Sequence, residues 1–263
     1  MTSAAAPPNR AYRRLSVEER RSQLLAAALT LFAHRAPDEV SLDEVAVVAG
    51  VSRPLVYRYF PGGRQQLYEA ALRSAAEELI LCFNEPPAGP PTVRVLRVLD
   101  RYLAFVDEHD TGFSALLRGG SVVETSRTTA IVDEVRRAAA EQILLHLGRG
   151  GEGPGPGPRL RMMVRTWIAA VEAASLIWLD EGKRPAASEL RDWLVDQLIG
   201  MLATTAATDP EAAAAVAALL SLEDEAGPAG RLAQRLLPVV GGAAHLLPER
   251  RPAAPGASGL PGG

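Results

Sequence analysis

Apolar residues recur at helical spacing along almost the whole chain. Leu24, Leu25, Ala28, Leu31 and Phe32 are separated by steps of three and four and fall on one helical face. Ser16 followed by Glu19 is a capping-box spacing that predicts the start of this helix, and Pro37 predicts its end. Ser41 and Glu44 repeat the box and open a short helix through Ala49, which Gly50 punctuates. Ser52 is a candidate cap for a third short helix that tolerates Pro54 in its first turn, and Gly62–Gly63 breaks it after Phe60. A fourth helix is predicted from Arg64 to Phe83.

Four prolines in Glu85–Pro91 mark a boundary. Beyond it, Leu96, Leu99, Leu103 and Val106 form a helical stripe. Gly112 and Gly119–Gly120 punctuate a short helix, and a longer one follows from Val122 to Leu147. Six glycines and three prolines between Gly148 and Pro158 read as a loop. Val164, Trp167, Val171, Ala174 and Trp178 then keep a heptad-like seam, and Leu190, Leu194, Leu198 and Met201 make a second stripe. Asp209–Pro210–Glu211 looks like another helix start, with an Ala-rich helix running to Leu222. With no alternating strand pattern, the expected fold class is all-α. The expected organisation is a basic arm (1–15), a small helical head with a connecting helix (16–84), a helical core (92–205) and an accessory helical segment (206–237). A disordered tail (238–263) follows, where five prolines and six glycines fall in 26 residues.

Composition narrows the function. The net charge of −3 over 263 residues excludes a uniformly basic coat, so a nucleic-acid site has to be a local patch. One cysteine, Cys82, rules out an internal disulfide framework and multi-cysteine metal sites, and the four histidines are far apart, so no metal and no cofactor is expected. Cys82 reads as a small hydrophobe or, alternatively, a redox-sensing thiol. No uninterrupted apolar run reaches the ~18 residues of a membrane helix, and no secretory signal opens the chain, so a cytoplasmic protein without membrane partners is expected.

The informative segment is Ser41–Phe60. Two short helices flank a turn at Gly50–Val51, the layout of a helix-turn-helix. Val45, Val51 and Val56 supply a small core, and Ala46 is small where the helices cross. Arg53, Pro54, Leu55, Tyr57, Arg58 and Tyr59 are left on or near the outer faces of the second helix, which suits a DNA major groove.

Gly50–Leu72, GVSRPLVYRYFPGGRQQLYEAAL, preceded by the helix at Leu24–Arg35, closely resembles the tetracycline-repressor-like (TetR/AcrR) family of transcriptional regulators. The resemblance in motif covers about Ser16–Ala76. It implies a three-helix DNA-binding head, a connecting helix and a divergent core that binds a small molecule and forms a homodimer on double-stranded, near-palindromic operator DNA. Residue by residue, it implies that Ser52 sits near a phosphate and that Arg53, Pro54 and Leu55 read bases. Tyr57 contacts phosphate with Tyr59 beside it, and Arg64 replaces a lysine at the start of the fourth helix. Pro61–Gly62–Gly63–Arg64 is one residue longer than the family's commoner form. Ser41 and Arg58 complete the candidate DNA-binding set.

Arg10, Arg13 and Arg14 form an arm with no acid before Glu18, suited to tracking DNA or, alternatively, a solvated tail. Residues 1–80 carry ten basic and nine acidic side chains, so arginines must be segregated onto one face. Candidate ligand-binding residues in the core are Tyr102, Phe105, His109, Phe113, Arg165, Trp167 and Glu172, with plain bundle packing as the alternative. A dimer seam is expected from Val171, Ala174, Trp178, Leu190, Trp193, Leu194 and Leu198, with core packing the alternative for the two tryptophans. A repressor released by a small molecule is the favoured function. An activator or a ligand-independent regulator is the alternative, and an all-helical enzyme is disfavoured because no nucleophile, paired-acid or phosphate-loop motif is present.

Overall fold

The computed structural model describes residues 15–118, 126–148 and 157–242. The arm residues Arg10, Arg13 and Arg14 lie outside them. Among the described residues every regular element is helical.

Helix α1 (Val17–His34) starts on the predicted box: Ser16 Oγ accepts from the Glu19 amide at 3.1 Å, and the Ser16 amide donates to the Glu19 carboxylate at 2.7 Å. A 3-10 turn at Pro37–Glu39 leads to α2 (Leu42–Val48), α3 (Arg53–Tyr59) and α4 (Gly63–Cys82). The turn between α2 and α3 is a Schellman motif. Gly50 takes φ +63°, its amide donates to the Val47 carbonyl at 3.1 Å, and the Val51 amide donates to Ala46 at 2.9 Å. Leu24, Ala28, Val40, Val45, Val56, Phe60 and Leu67 close a separate small core under these helices.

The second unit holds α5 (Pro91–Glu108), α6 (Asp110–Arg118), α7 (Ser126–Gly148), α8 (Pro158–Asp180) and α9 (Ala187–Thr208). Helices α10 (Pro210–Leu220) and α11 (Pro228–Gly242) pack over α9. Leu99, Leu103, Val106, Val164, Trp167, Val171 and Leu194 belong to its core. By length and composition α8 is apolar enough to cross a membrane, although arginines interrupt its apolar sequence. Its buried stripe is packed inside this core, and the Trp167 indole donates to the Leu194 carbonyl at 3.0 Å.

Two expectations change. Gly112 does not break α6 but lies within it, because the helix passes so close to α1 that a Cβ there would stand 2.3 Å from the Phe32 carbonyl oxygen. The tail does not begin at Pro238, since α11 continues through that residue to Gly242. Pro228, Ala229 and Leu232 anchor the helix by burial, and Arg235 holds Asp196 of α9 at 2.7 Å. These contacts outweigh one interior proline, a balance that composition cannot express.

Candidate functional site

Buried Val56 and Phe60 pin α3 to the head, so the rest of its short surface turns outward. Arg53, Pro54, Tyr57 and Arg58 are exposed, and Leu55 and Tyr59 are half-buried. Tyr59 packs against the head core, with the Arg58 guanidinium 5.6 Å from its ring centre. Arg53 is held on two sides. Its Nε lies 2.8 Å from Asp43 Oδ1 on α2, and its guanidinium donates to the Tyr57 hydroxyl at 3.3 Å while covering that ring at 5.4 Å. These partners raise the Arg53 pKa further, the Tyr57 hydrogen bond most of all. Sequence spacing missed Asp43, since its partner lies ten residues on, across the turn.

Ser52 flanks α3, but its side chain makes no cap hydrogen bond. The physical reason is local. Pro54 offers no amide, and the Leu55 amide is taken by the Ser52 carbonyl at 2.9 Å. Ser41 is committed elsewhere: its hydroxyl donates to Glu44 Oε2 at 2.8 Å and accepts from the Glu44 amide at 3.2 Å. Arg64, at the start of α4, donates to the Asp38 carbonyl at 2.9 Å with the Asp38 carboxylate 3.9 Å away. It is thus tethered to the 3-10 turn while remaining exposed on the side of α4's first turn.

Arg35 steadies the base of the reading unit by donating to Glu44 at 2.6 Å. Together with Ser41 it pulls the Glu44 carboxyl from the ordinary 4.5 down to about 2, the Arg35 hydrogen bond being the largest cause. A depressed carboxylate stabilises the fold above the unfolded pKa, so this contribution is complete above about pH 4.5 and is lost as pH falls toward 2. A carbon-13 NMR titration should place the Glu44 midpoint near 2 and move it upward in Arg35→Gln; a midpoint near 4.5 in the parent protein would refute the coupling.

A second site lies where head and core meet. A cavity of about 220 Å³ is bounded by Phe32 of α1, Tyr68 of α4, Leu99 of α5, Phe113 of α6, Val135 of α7 and Val171 of α8. Six of the seven candidate ligand residues line it: Tyr102, Phe105, His109, Phe113, Trp167 and Glu172. The seventh, Arg165, is exposed on the outer side of α8 and does not. The His109 ring stacks on Phe105 at 4.3 Å, with Nδ1 2.9 Å from the Phe105 carbonyl oxygen. Glu172 forms a two-pronged pair with Arg136 of α7, closest at 2.8 Å, which raises the Arg136 pKa further. Cys82 is half-buried, and burial pushes its thiol up, away from the reactive thiolate.

The expected dimer seam is largely internal. Val171, Trp178, Leu190, Leu194 and Leu198 are buried in the protomer's own core, and Ala174 is half-buried against it. Only Trp193 stands out, 52% exposed. Beside Trp193, the outward faces carry residues outside the expected set: Met162, Thr166, Ala170, Ala173 and Ile177 on α8, and Gln197 and Thr204 on α9. Ile177 is 60% exposed. The signal that distinguishes them is weak, because each lies within one or two positions of a stronger apolar stripe.

Residues 24–71 match the model of bacterial regulatory proteins of the tetR family, and residues 91–201 match that of the tetracyclin repressor-like C-terminal domain. A crystal structure of a tetR-family transcriptional regulator from Streptomyces coelicolor is 50% identical, covers 86% of this chain and 100% of its own, and has a TM-score of 0.79. The HTH-type transcriptional activator FasR of Mycolicibacterium smegmatis is 25% identical over 177 residues, 66% of this chain and 79% of its own. A TetR-family structure from Rhodococcus sp. shares the fold at 23% identity, covering 69% of this chain and 97% of its own, with a TM-score of 0.55.

Proposed function

Since this chain belongs to the TetR family of transcriptional regulators, we propose that it is a ligand-responsive repressor that reads a near-palindromic operator as a homodimer in the cytoplasm. The observation that carries the DNA part is the outward α3 face: exposed Arg53, Pro54, Tyr57 and Arg58 stand over a helix anchored by Val56 and Phe60. Arg53, Pro54 and Leu55 lie at its N-terminal end, the end that meets base edges in this docking mode. Tyr57, the uncommitted Ser52 hydroxyl and Arg64 fit phosphate contacts.

The effector part rests on where the cavity lies. Its wall includes Leu29, Phe32 and Ala33 of α1, so an occupant touches the helix that packs on α2 and shares the head core with α3. An occupant favouring one head position over another shifts the dimer between operator-fitting and non-fitting spacings. A coupling of about 1–3 kcal/mol changes DNA affinity 5–150-fold. Activation is the second reading, favoured by FasR, a relative named as an activator.

Fluorescence anisotropy on promoter fragments tests the DNA assignment. Tyr57→Phe removes the phenolic oxygen and is expected to weaken operator and scrambled duplex alike, by about 3–10-fold. A loss confined to the operator would make Tyr57 a base reader instead, and no binding to any promoter duplex at low salt would overturn the whole reading. Run-off transcription on the bound promoter decides between repression and activation.

A further inference from the structure

We infer that the cavity takes a compact, uncharged and mostly apolar molecule carrying one hydrogen-bond acceptor, and that the Tyr102 hydroxyl is the donor that reads it. Only the effect on DNA rests on the regulator reading above; the binding chemistry stands on the cavity itself.

A volume of about 220 Å³ has room for several waters. Water needs two to four polar partners each, and walls such as Leu99, Phe113, Trp167 and Val171 offer none beyond one indole N–H that is already spent. An apolar occupant suits the space better.

A charged occupant does not. The ionic groups on the wall all have charged or polar partners, although the buried Arg94 Nε makes no hydrogen bond of its own. Glu85 is gripped by Arg97 at 2.6 Å and Arg101 at 2.8 Å, Arg136 by Glu172 and Asp133, and Arg94 has partners of its own. The Thr92 hydroxyl donates to Glu223 at 2.5 Å. A bound carboxylate or ammonium would have to break one of these pairs or remain uncompensated.

Tyr102 is the uncharged group that the wall leaves buried and unsatisfied. It is 7% exposed on the cavity wall, and its hydroxyl makes no hydrogen bond. Ser175, buried nearby, gives its proton to the Val171 carbonyl at 2.8 Å and does not reach hydrogen-bond geometry with Tyr102. Burial pushes the phenol up, so it remains a protonated donor at any ordinary pH. A buried donor without an acceptor is a standing cost that a carbonyl, ether or hydroxyl oxygen in the ligand removes.

Calorimetric titration of the full chain with acetophenone, ethylbenzene and benzoate separates shape from polarity, because the first two are nearly the same size. The ratio of the acetophenone to the ethylbenzene Kd is expected to rise about fivefold in Tyr102→Phe, while the ethylbenzene Kd is not weakened. Benzoate should bind at least tenfold more weakly than acetophenone. Without ligand, Tyr102→Phe should melt no lower than the parent, whereas a structural hydroxyl would lower Tm on removal. An unchanged ratio, benzoate as tight as acetophenone, a lowered Tm, or no binding of any probe overturns the inference. Operator affinity with acetophenone present is read separately. The expected ratio change with no effect on DNA supports this chemistry and removes the effector part of the regulator reading.

Discussion

A protein carrying Ile177→Glu and Trp193→Glu together is expected to sediment as a monomer and to lose operator affinity by about 10²–10⁴-fold. Two linked reading helices gain this much by turning the second half-site contact into an intramolecular one. The two positions follow from which apolar residues the protomer leaves over. On α8 and α9 the strong stripes, Val164 to Trp178 and Leu190 to Leu198, are already spent on the protomer's own core. Ile177 and Trp193 are, with Met162, the large apolar side chains exposed on the outward faces of these helices, among small neighbours at Ala170 and Ala173 that permit close helix approach. Two carboxylates there would be desolvated without partners in a dimer. Because both positions are exposed in the protomer, the variant's helical content should match the parent's. A sedimentation profile that stays dimeric would move the interface to another face.

The second large effect is expected at Arg53. Arg53→Ala should reduce discrimination at one base pair in each half-site by about 5–150-fold, the 1–3 kcal/mol of a bidentate base contact. Scrambled duplex should lose tenfold or less. The reason lies in the bracing already present in the free protein. Asp43 on one side and the Tyr57 hydroxyl on the other hold the guanidinium at 2.8 and 3.3 Å, which lowers the rotamer entropy lost on docking. Asp43→Asn keeps the shape but removes the charge. It is expected to raise affinity for every duplex, since a carboxylate near phosphates is removed, while narrowing base discrimination. Anisotropy titrations on an operator set with single base changes measure both, and equal losses on operator and scrambled DNA from Arg53→Ala would make it a backbone contact.

The head was legible because its signals are local. Ser16–Glu19 and Ser41–Glu44 are three residues apart, and Gly50 sits where a Schellman turn needs a left-handed residue. What escaped depends on distant partners. Arg35 reaches Glu44 only after the 3-10 turn folds back, and Arg64 reaches Asp38 across 26 positions. Periodicity locates α8 and α9 yet does not say which of two adjacent stripes faces inward, so Leu194, expected at a seam, lies buried in the core while Ile177, outside both stripes, is exposed. It also places Arg165 in the cavity, where the helix turns it outward. Ser52 is the expected side-chain cap of α3, but Pro54 lacks an amide and the Leu55 amide goes to the Ser52 carbonyl, so its side chain makes no cap hydrogen bond.

The near-contact between Gly112 and the Phe32 carbonyl limits how this protein can be recombined. Only a hydrogen fits between α6 and the backbone of α1, so at this point the two units meet main chain to main chain, beside side-chain pairs such as Arg73–Glu134. A chimera that grafts this head onto a related core therefore inherits a steric condition. The acceptor must present a glycine at that turn of its own sixth helix, or the graft will sit tilted, with its reading helices out of register with the half-sites.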